Sequence, residues 1–496
     1  MLQPDLSKLL EQFVYHEREP MIFSSGLFLF VFMAFISIYY LLHKSFRAKL
    51  TYVTLFSLFF YYKSSGGYFV LLLISTVVDY TLANLIYKSE SEARKKAWLV
   101  LSLVLNLGLL GFFKYTNFFY SMWCDLAAQP FNPFHIFIPV GVSFFTFQSL
   151  SYTIDIYRKE IKPIDNILDY AFFVSFFPQL VAGPIVRAKD FIPQIYKPTF
   201  VSKEDLGRAV FLIASGLFKK AVISDYISSN FVDRIFENPT LYTGLENLFG
   251  VYGYAMQIYC DFSGYSDMAI GIALLMGFHF NINFDSPYQS SSITEFWRRW
   301  HISLSTWLRD YLYISLGGNR KGQFRTYLNQ FLTMLLGGLW HVIGGLSYWA
   351  AFRFILWGAL HGVALGIDKY VKSIVKIPDT KWVKIGGVLL TFHFVCFCWI
   401  FFRAEDMGKS WEVISQIAGH FTPGIFFNFV AGYRNVLLVM LLGYLLHFIP
   451  RSFEIKSQQW VSDIPLAAKV AVLVAVIVVV MQVKSSDIQP FIYFQF

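Results

Sequence analysis

The sequence predicts an all-α protein that crosses a membrane many times. Three observations carry that prediction. Of 496 residues, 56% are hydrophobic and only 15% charged, where soluble domains carry about 25% charged residues. The apolar residues form continuous runs of about twenty, the length that spans a bilayer as a helix; the pattern is not the ten-residue alternation of a membrane barrel. Short basic loops separate the runs, as Lys and Arg collect on the cytoplasmic side of membrane proteins. Windows of roughly twenty residues count about 11 to 13 spanning helices.

The formal charge of +9 fits anionic lipid or this cytoplasmic excess. No basic and aromatic platform for nucleic acid stands outside the apolar runs, so no nucleic-acid partner is expected. Cys124, Cys260, Cys396 and Cys398 have neither disulfide-framework nor zinc spacing.

In chain order, residues 1–20 are polar and slightly acidic, with Asp5, Glu11, Glu17 and Glu19 against Lys8 and Arg18. They lack the basic start of a secretory signal and read as an extracytoplasmic or interfacial segment. Ile22 to Leu42 is uncharged and long enough to span; His43, Lys44, Arg47 and Lys49 follow at once. That asymmetry puts 1–20 outside and the 43–50 loop in the cytoplasm. Transmembrane helices continue over 21–135 and again over 371–496, around a core at 136–370. The basic loops at 88–96 and 187–208 are also expected in the cytoplasm. Ser202 with Asp205 makes a capping box for a helix from Leu206. The run 245–278 is long enough for a tilted helix plus a break, and holds Asp261, Gly264 and Asp267. Residues 317–325 form a glycine-rich basic turn. It is either a phosphate site, through backbone N–H groups with Arg320 or Lys321, or a cytoplasmic loop.

The chemistry concentrates in two stretches. From Glu295 to Asp310 come a glutamate, three arginines, a histidine and an aspartate; His341 later closes an apolar run after Gly337-Gly-Leu-Trp340. Charge at bilayer depth is costly and tends to face a functional cavity. If 294–312 is one helix, Trp297, His301 and Ser305 share a face beside Arg298, and Glu295 pairs with Arg299. The same residues would also suit an interfacial helix anchored by Trp297, Trp300 and Trp307. His341, neutral, can act as a general base, or can be a buried structural histidine. No nucleophile elbow or P-loop is present. Metal ligation by His301 and His341 would need ligands the spacing does not supply, so no metal is expected. Asp261 and Asp267, six apart, could instead line an ion path in a transporter.

These motifs resemble the membrane-bound O-acyltransferase (MBOAT) family, in the branch that O-acetylates alginate. The match runs over nearly the whole chain. It includes Phe112-Phe-Lys-Tyr-Thr-Asn-Phe118, Gly141-Val-Ser-Phe-Phe-Thr-Phe-Gln148, Phe177-Pro-Gln-Leu-Val-Ala-Gly-Pro-Ile185 and Tyr259-Cys-Asp-Phe-Ser-Gly-Tyr-Ser-Asp267. Phe296-Trp-Arg-Arg-Trp-His301, Gly338-Leu-Trp-His341, Trp357-Gly-Ala-Leu-His-Gly362, Trp399-Ile-Phe-Phe-Arg-Ala404 and the terminal Phe491–Phe496 complete it.

The resemblance implies helices around a central funnel or tunnel, with 136–370 as the catalytic core, in a bacterial cytoplasmic membrane. It implies a cytosolic acyl thioester, foremost acetyl-CoA, as donor substrate, with no bound cofactor. The acceptor is then a hydroxyl of an exported polysaccharide, or an extracytoplasmic partner transferase. It makes His341 the catalytic residue and His301 part of the same tunnel, with Gln257, Asp261, Trp297, Arg298 and Trp340 nearby. His301 or the Trp297 N–H would then serve the oxyanion or orient the acceptor. D-alanyl transfer to teichoic acid from a carrier-protein thioester is the alternative within the family. After His341 the sequence departs from the family branch, which has a glycine and a short turn. Here Val342-Ile-Gly-Gly-Leu-Ser347 intervenes and adds bulk beside His341.

Overall fold

A computed structural model describes residues 11–17 and 20–483. The 1–20 segment thus lies only partly inside the described residues, and the terminal Phe491–Phe496 motif lies outside them. The described chain is helical, with no strand.

Helices α1 (Gly26–Leu41), α2 (Phe46–Ser65), α3 (Phe69–Lys88) and α4 (Glu92–Leu126) come first. Side chains satisfy the orphan donors at two of their N-termini: Ser25 Oγ accepts from Phe28 N at 3.2 Å and Ser45 Oγ from Ala48 N at 3.4 Å. Helix α5 (Val142–Tyr157) and the short α6 (Ile167–Ser175) follow. Then α7 (Lys203–Leu217) begins under its Ser202 cap, with Asp205 N donating to Ser202 Oγ at 2.9 Å. It leads through two π-helical stretches, Phe218–Ser224 and Ser228–Val232, into α8 (Gly244–Leu275). The break expected inside 245–278 is absent, since α8 runs unbroken for 32 residues from a Thr243–Glu246 capping box. Helices α9 (Ile293–Arg299), α10 (Ile302–Trp307), α11 (Gly322–Trp340), α12 (Tyr348–Ile374), α13 (Lys381–Arg403), α14 (Met407–Gly419), α15 (Arg434–His447), α16 (Arg451–Asp463) and α17 (Leu466–Val483) follow, with short helical pieces such as Ala188–Ile195 and Phe426–Gly432 between the named helices.

Among the described residues, six helical stretches are long and apolar enough to cross a membrane, the 43-residue Phe46–Lys88 stretch that holds α2 and α3 counted as one, or seven if the bent pair Pro423–Gly432 and Arg434–His447 counts as one span. The sequence count was higher because it included runs that fold as inner helices. Helix α5 is buried along nearly its whole length, with Thr146, Gln148, Ser149, Ser151, Thr153 and Asp155 inside the protein. The strongly apolar α17, by contrast, has only 11% of its spanning window buried. Apolar helices thus take the outside, where no water can satisfy a polar group. Helices with polar residues take the inside, where Asp155 of α5, for one, accepts from Tyr311 Oη at 2.9 Å.

Glycines set two tight crossings. A Cβ on Gly264 of α8 would meet the carbonyl oxygen of Gly216 of α7 at 2.7 Å. One on Gly358 of α12 would meet Met334 O at 2.4 Å and the Gly338 Cα at 3.0 Å. Small residues allow such close approach in membrane bundles. The second crossing lies one turn from the end of α11, where His341 begins the next segment.

Candidate active site

The cluster from Glu295 to Asp310 is not one helix. Trp300 is extended (φ −101°, ψ 128°) and His301 is left-handed (φ 43°, ψ 55°). A non-glycine residue there costs about 1–2 kcal/mol, and local bonds hold it. Ile302 N donates to Asn283 O at 2.9 Å and Asp285 N to Arg299 O at 2.9 Å. Asn283 Oδ1 accepts from Ser303 N at 3.1 Å and Ser303 Oγ at 2.9 Å, and meets His301 Nδ1 at 3.3 Å. Trp297, His301 and Ser305 therefore do not share the face expected of a continuous helix. Trp297 and Ser305 stand in a cavity wall, while His301 turns into the core against Phe262, with ring centroids 4.6 Å apart. The Glu295–Arg299 pair forms as expected, at 2.8 Å.

Two cavities converge on one residue. The larger, about 1330 Å³, is lined by Trp297, Arg298, Ser305, Arg309, His341 and Trp357, with Lys369 and Lys372 among the remainder. The smaller, about 600 Å³, is lined by Glu17, Lys114, His135, Ser143, Trp340 and His341. Among the described residues, His341 is the one common to both walls. It is 6% exposed and follows directly on the last residue of α11. Its ring meets those of Trp340, Trp357 and Phe402 at 4.8, 5.2 and 5.2 Å, each near edge-on.

The Trp297 indole N–H donates to His361 Nδ1 at 3.2 Å, a bond it would have to give up to serve an oxyanion. The Trp357 indole N–H, 1% exposed, has no hydrogen-bond partner among the described residues.

The larger cavity's rim is tied to the basic 187–208 segment, which is not a plain loop but holds the helix Ala188–Ile195 and the start of α7. Arg187 pairs with Asp310 at 2.6 Å, and Arg309 pairs with the same carboxylate at 2.6 Å. Burial alone would raise the Asp310 pKa, but hydrogen bonds and charge from Arg309 and Arg187 outweigh it and hold the carboxyl below its usual range.

The family profile of membrane-bound O-acyltransferases matches residues 28–405. The probable alginate O-acetylase AlgI of Pseudomonas aeruginosa is 43% identical over 405 residues, which cover 79% of this chain and 74% of that protein. The peptidoglycan O-acetyltransferase of Helicobacter pylori is 36% identical, covering 80% of each. The teichoic acid D-alanyltransferase of Bacillus subtilis is 31% identical over 58% of this chain and 75% of its own. The chain belongs to the membrane-bound O-acyltransferase family. It is an O-acyltransferase and a multi-pass protein of a bacterial cytoplasmic membrane.

Within this MBOAT chain, the other residues singled out by sequence take different places. Gln257 and Asp261 lie on the α8 face that packs against the π-helical stretches, and line neither cavity. Gln257 Nε2 donates to Ser228 Oγ at 2.8 Å. Lys220 Nζ holds Asp261 at 2.6 Å and Asp225 at 2.7 Å, and Lys219 holds Asp267 at 2.7 Å. These aspartates are engaged in cross-element ion pairs, which explains charge inside an apolar run without an ion path. Arg320 and Lys321 are exposed and line neither cavity. The turn before them spends its own N–H groups: Gly317 N donates to Ile314 O, Gly318 N to Tyr313 O and Arg320 N to Gly317 O. A phosphate cradle of free N–H groups is not formed at these three positions. Val342 is fully buried and in neither wall, whereas Ile343, Gly344 and Gly345 of the longer turn line the smaller cavity. Sequence reasoning passed over Lys114, Trp357 and Phe402 as individual site residues. Lys114 carried a usable signal, a charge inside an apolar helix.

Proposed function

We propose that this O-acyltransferase moves an acyl group, foremost acetyl, from a cytosolic thioester to a hydroxyl outside the cytoplasm, with His341 as general base. The observation that carries the reading is the position of His341 in both cavity walls. The larger cavity takes the donor. Arg298, Arg309, Lys369 and Lys372 stand in its wall, and such cations suit the phosphates of acetyl-CoA. Its tie to the 187–208 segment supports a cytoplasmic opening by the orientation rule. The smaller cavity takes the acceptor, and Glu17 in its wall belongs to the segment expected outside. The acceptor class is an exported polysaccharide or an extracytoplasmic partner transferase, in keeping with the alginate and peptidoglycan acetylating relatives.

In the reaction, neutral His341 accepts the hydroxyl proton as the oxygen attacks the thioester carbonyl. The resulting oxyanion takes a hydrogen bond from the Trp357 indole N–H. The intermediate collapses, the carbon–sulfur bond breaks, and the thiolate leaves with the proton from His341. General-base help is worth about 10² to 10⁴ in rate.

The test is liposome-reconstituted protein with radiolabelled acetyl-CoA, following thioester cleavage and label on protein, water or added oligosaccharide. Wild type transfers label, and His341→Ala, correctly folded, loses about 10² to 10⁴ of the rate. Full activity in that variant would sink the reading of His341. Turnover that needs a phosphopantetheinylated carrier protein would make D-alanyl transfer the function instead.

A further inference from the structure

Two consecutive residues of α4 hold the end of the helix that presents His341. Lys114 Nζ donates to the carbonyl oxygen of Trp340. Tyr115 Oη donates to the carbonyl oxygen of Leu339 at 2.9 Å. These carbonyls are the last two of α11, and the last four of any helix lack an intrahelical donor; Leu339 O also accepts from Val342 N at 3.1 Å, whereas Trp340 O takes its hydrogen bond from Lys114. The Trp340 carbonyl belongs to the peptide group whose N–H is that of His341. Fixing its oxygen therefore fixes the plane from which the imidazole springs.

The clamp is reinforced on both sides. The Lys114 ammonium also sits 5.2 Å from the centre of the Trp340 ring, and that ring touches His341. A cation at a helix C-terminus also meets the negative end of the helix dipole. Beyond His341, the turn packs directly on α4: a Cβ on Gly344 would stand 2.7 Å from Phe113 O. Lys114 is 6% exposed and about 18 Å along α4 from its Leu126 end at 1.5 Å per residue. A lysine is expensive at that depth, and solubility or lipid anchoring does not account for it.

We propose that Lys114 and Tyr115 are positioning residues for the acyl transfer, acting through the Leu339 and Trp340 carbonyls to hold His341 where the two cavities meet. This inference rests on the assignment of His341 as the base. Displacing a reacting group by about 1 Å can cost roughly 10²-fold in rate. Removing the clamp should therefore lower kcat and leave donor binding alone.

The experiment measures kcat and KM for acetyl-CoA thioester cleavage by the full chain in liposomes. The variants are Lys114→Met, Lys114→Arg, Tyr115→Phe and His341→Ala. Lys114→Met should lower kcat by about 10²-fold with KM nearly unchanged, and Lys114→Arg, which keeps a charged donor, should recover part of the loss. Tyr115→Phe removes one oxygen and should lower kcat about fivefold to tenfold. If Lys114→Met fails to fold, Tyr115→Phe decides. Wild-type kcat in a folded Lys114→Met or Tyr115→Phe protein would overturn the clamp. So would a Lys114→Met rate restored to wild type by saturating acceptor oligosaccharide, which would make Lys114 an acceptor contact in the smaller cavity. An active His341→Ala protein would sink the assignment of the base instead. A second readout does not need turnover: ¹⁵N-histidine spectra, with His341 assigned from His341→Ala. Tyr115→Phe leaves the local charge in place and should still shift the His341 resonances; unchanged resonances overturn the proposal even if acetyl-CoA is not the donor.

Discussion

Trp297 and Trp357 both stand in the wall of the larger cavity, yet the same substitution should act on them differently. Trp297→Phe removes the donor to His361 Nδ1 and leaves that buried acceptor unpaired, a loss of about 1–3 kcal/mol in stability. Trp357→Phe breaks no hydrogen bond among the described residues. It empties part of a buried ring site packed on Trp399 and Phe402 and so costs some stability too, but its distinguishing effect should be a kcat lower by about 10² to 10³, the usual effect of losing an oxyanion donor. Thermal melts and acetyl-CoA turnover on both variants separate the roles. A normal kcat in Trp357→Phe would remove that indole from the chemistry. The residue scale also shows where sequence reading stops. His341 was legible because a histidine closing an apolar run is unusual. The setting back of His301 was not, because the left-handed turn at His301 uses neither glycine nor proline, and its support comes from Asn283, eighteen residues earlier.

At the scale of elements, the site depends on α11 and α12 crossing closely enough for Trp357 to touch His341. Gly338 and Gly358 permit that approach. Gly358→Leu should force the helices apart, with a loss of about 3 kcal/mol or more and a lower melting temperature in detergent. Gly386→Ala is the control: its Cβ would meet nothing within 4 Å, and α13 should gain up to about 1 kcal/mol from helix propensity. Equal melting of Gly358→Leu and wild type would contradict the packing argument. The helical class was readable from run length and apolarity, which report the lipid-facing surface. The layering was not. Buried polar helices such as α5 look like spans in a hydropathy window, and some of their polar residues find partners on elements distant in sequence, as Asp155 does in Tyr311 and Thr153 in Ser102. The Lys220 pairing with Asp261 is one such case, and it turns an apparent ion path into an internal cross-link.

For the whole molecule, the decisive property is sidedness. An acyl donor and an acceptor on opposite sides require each cavity to open to a different compartment, with His341 between them. Both ends can be probed, because Cys124, Cys260, Cys396 and Cys398 are all buried and offer an impermeant thiol reagent little background. Ser305→Cys reports on the larger cavity and His135→Cys on the smaller. In sealed cells, a membrane-impermeant maleimide should label His135→Cys and spare Ser305→Cys. In inside-out vesicles the pattern should reverse, and acetyl-CoA should slow the labelling of Ser305→Cys through occupancy beside Arg298 and Arg309. The positive-inside rule and the Arg187–Asp310 tie both lead to this orientation. Labelling of both cysteines from one side would mean that both cavities open to the same compartment. His341 would then still join two cavities, but transfer across the bilayer would have no route through them.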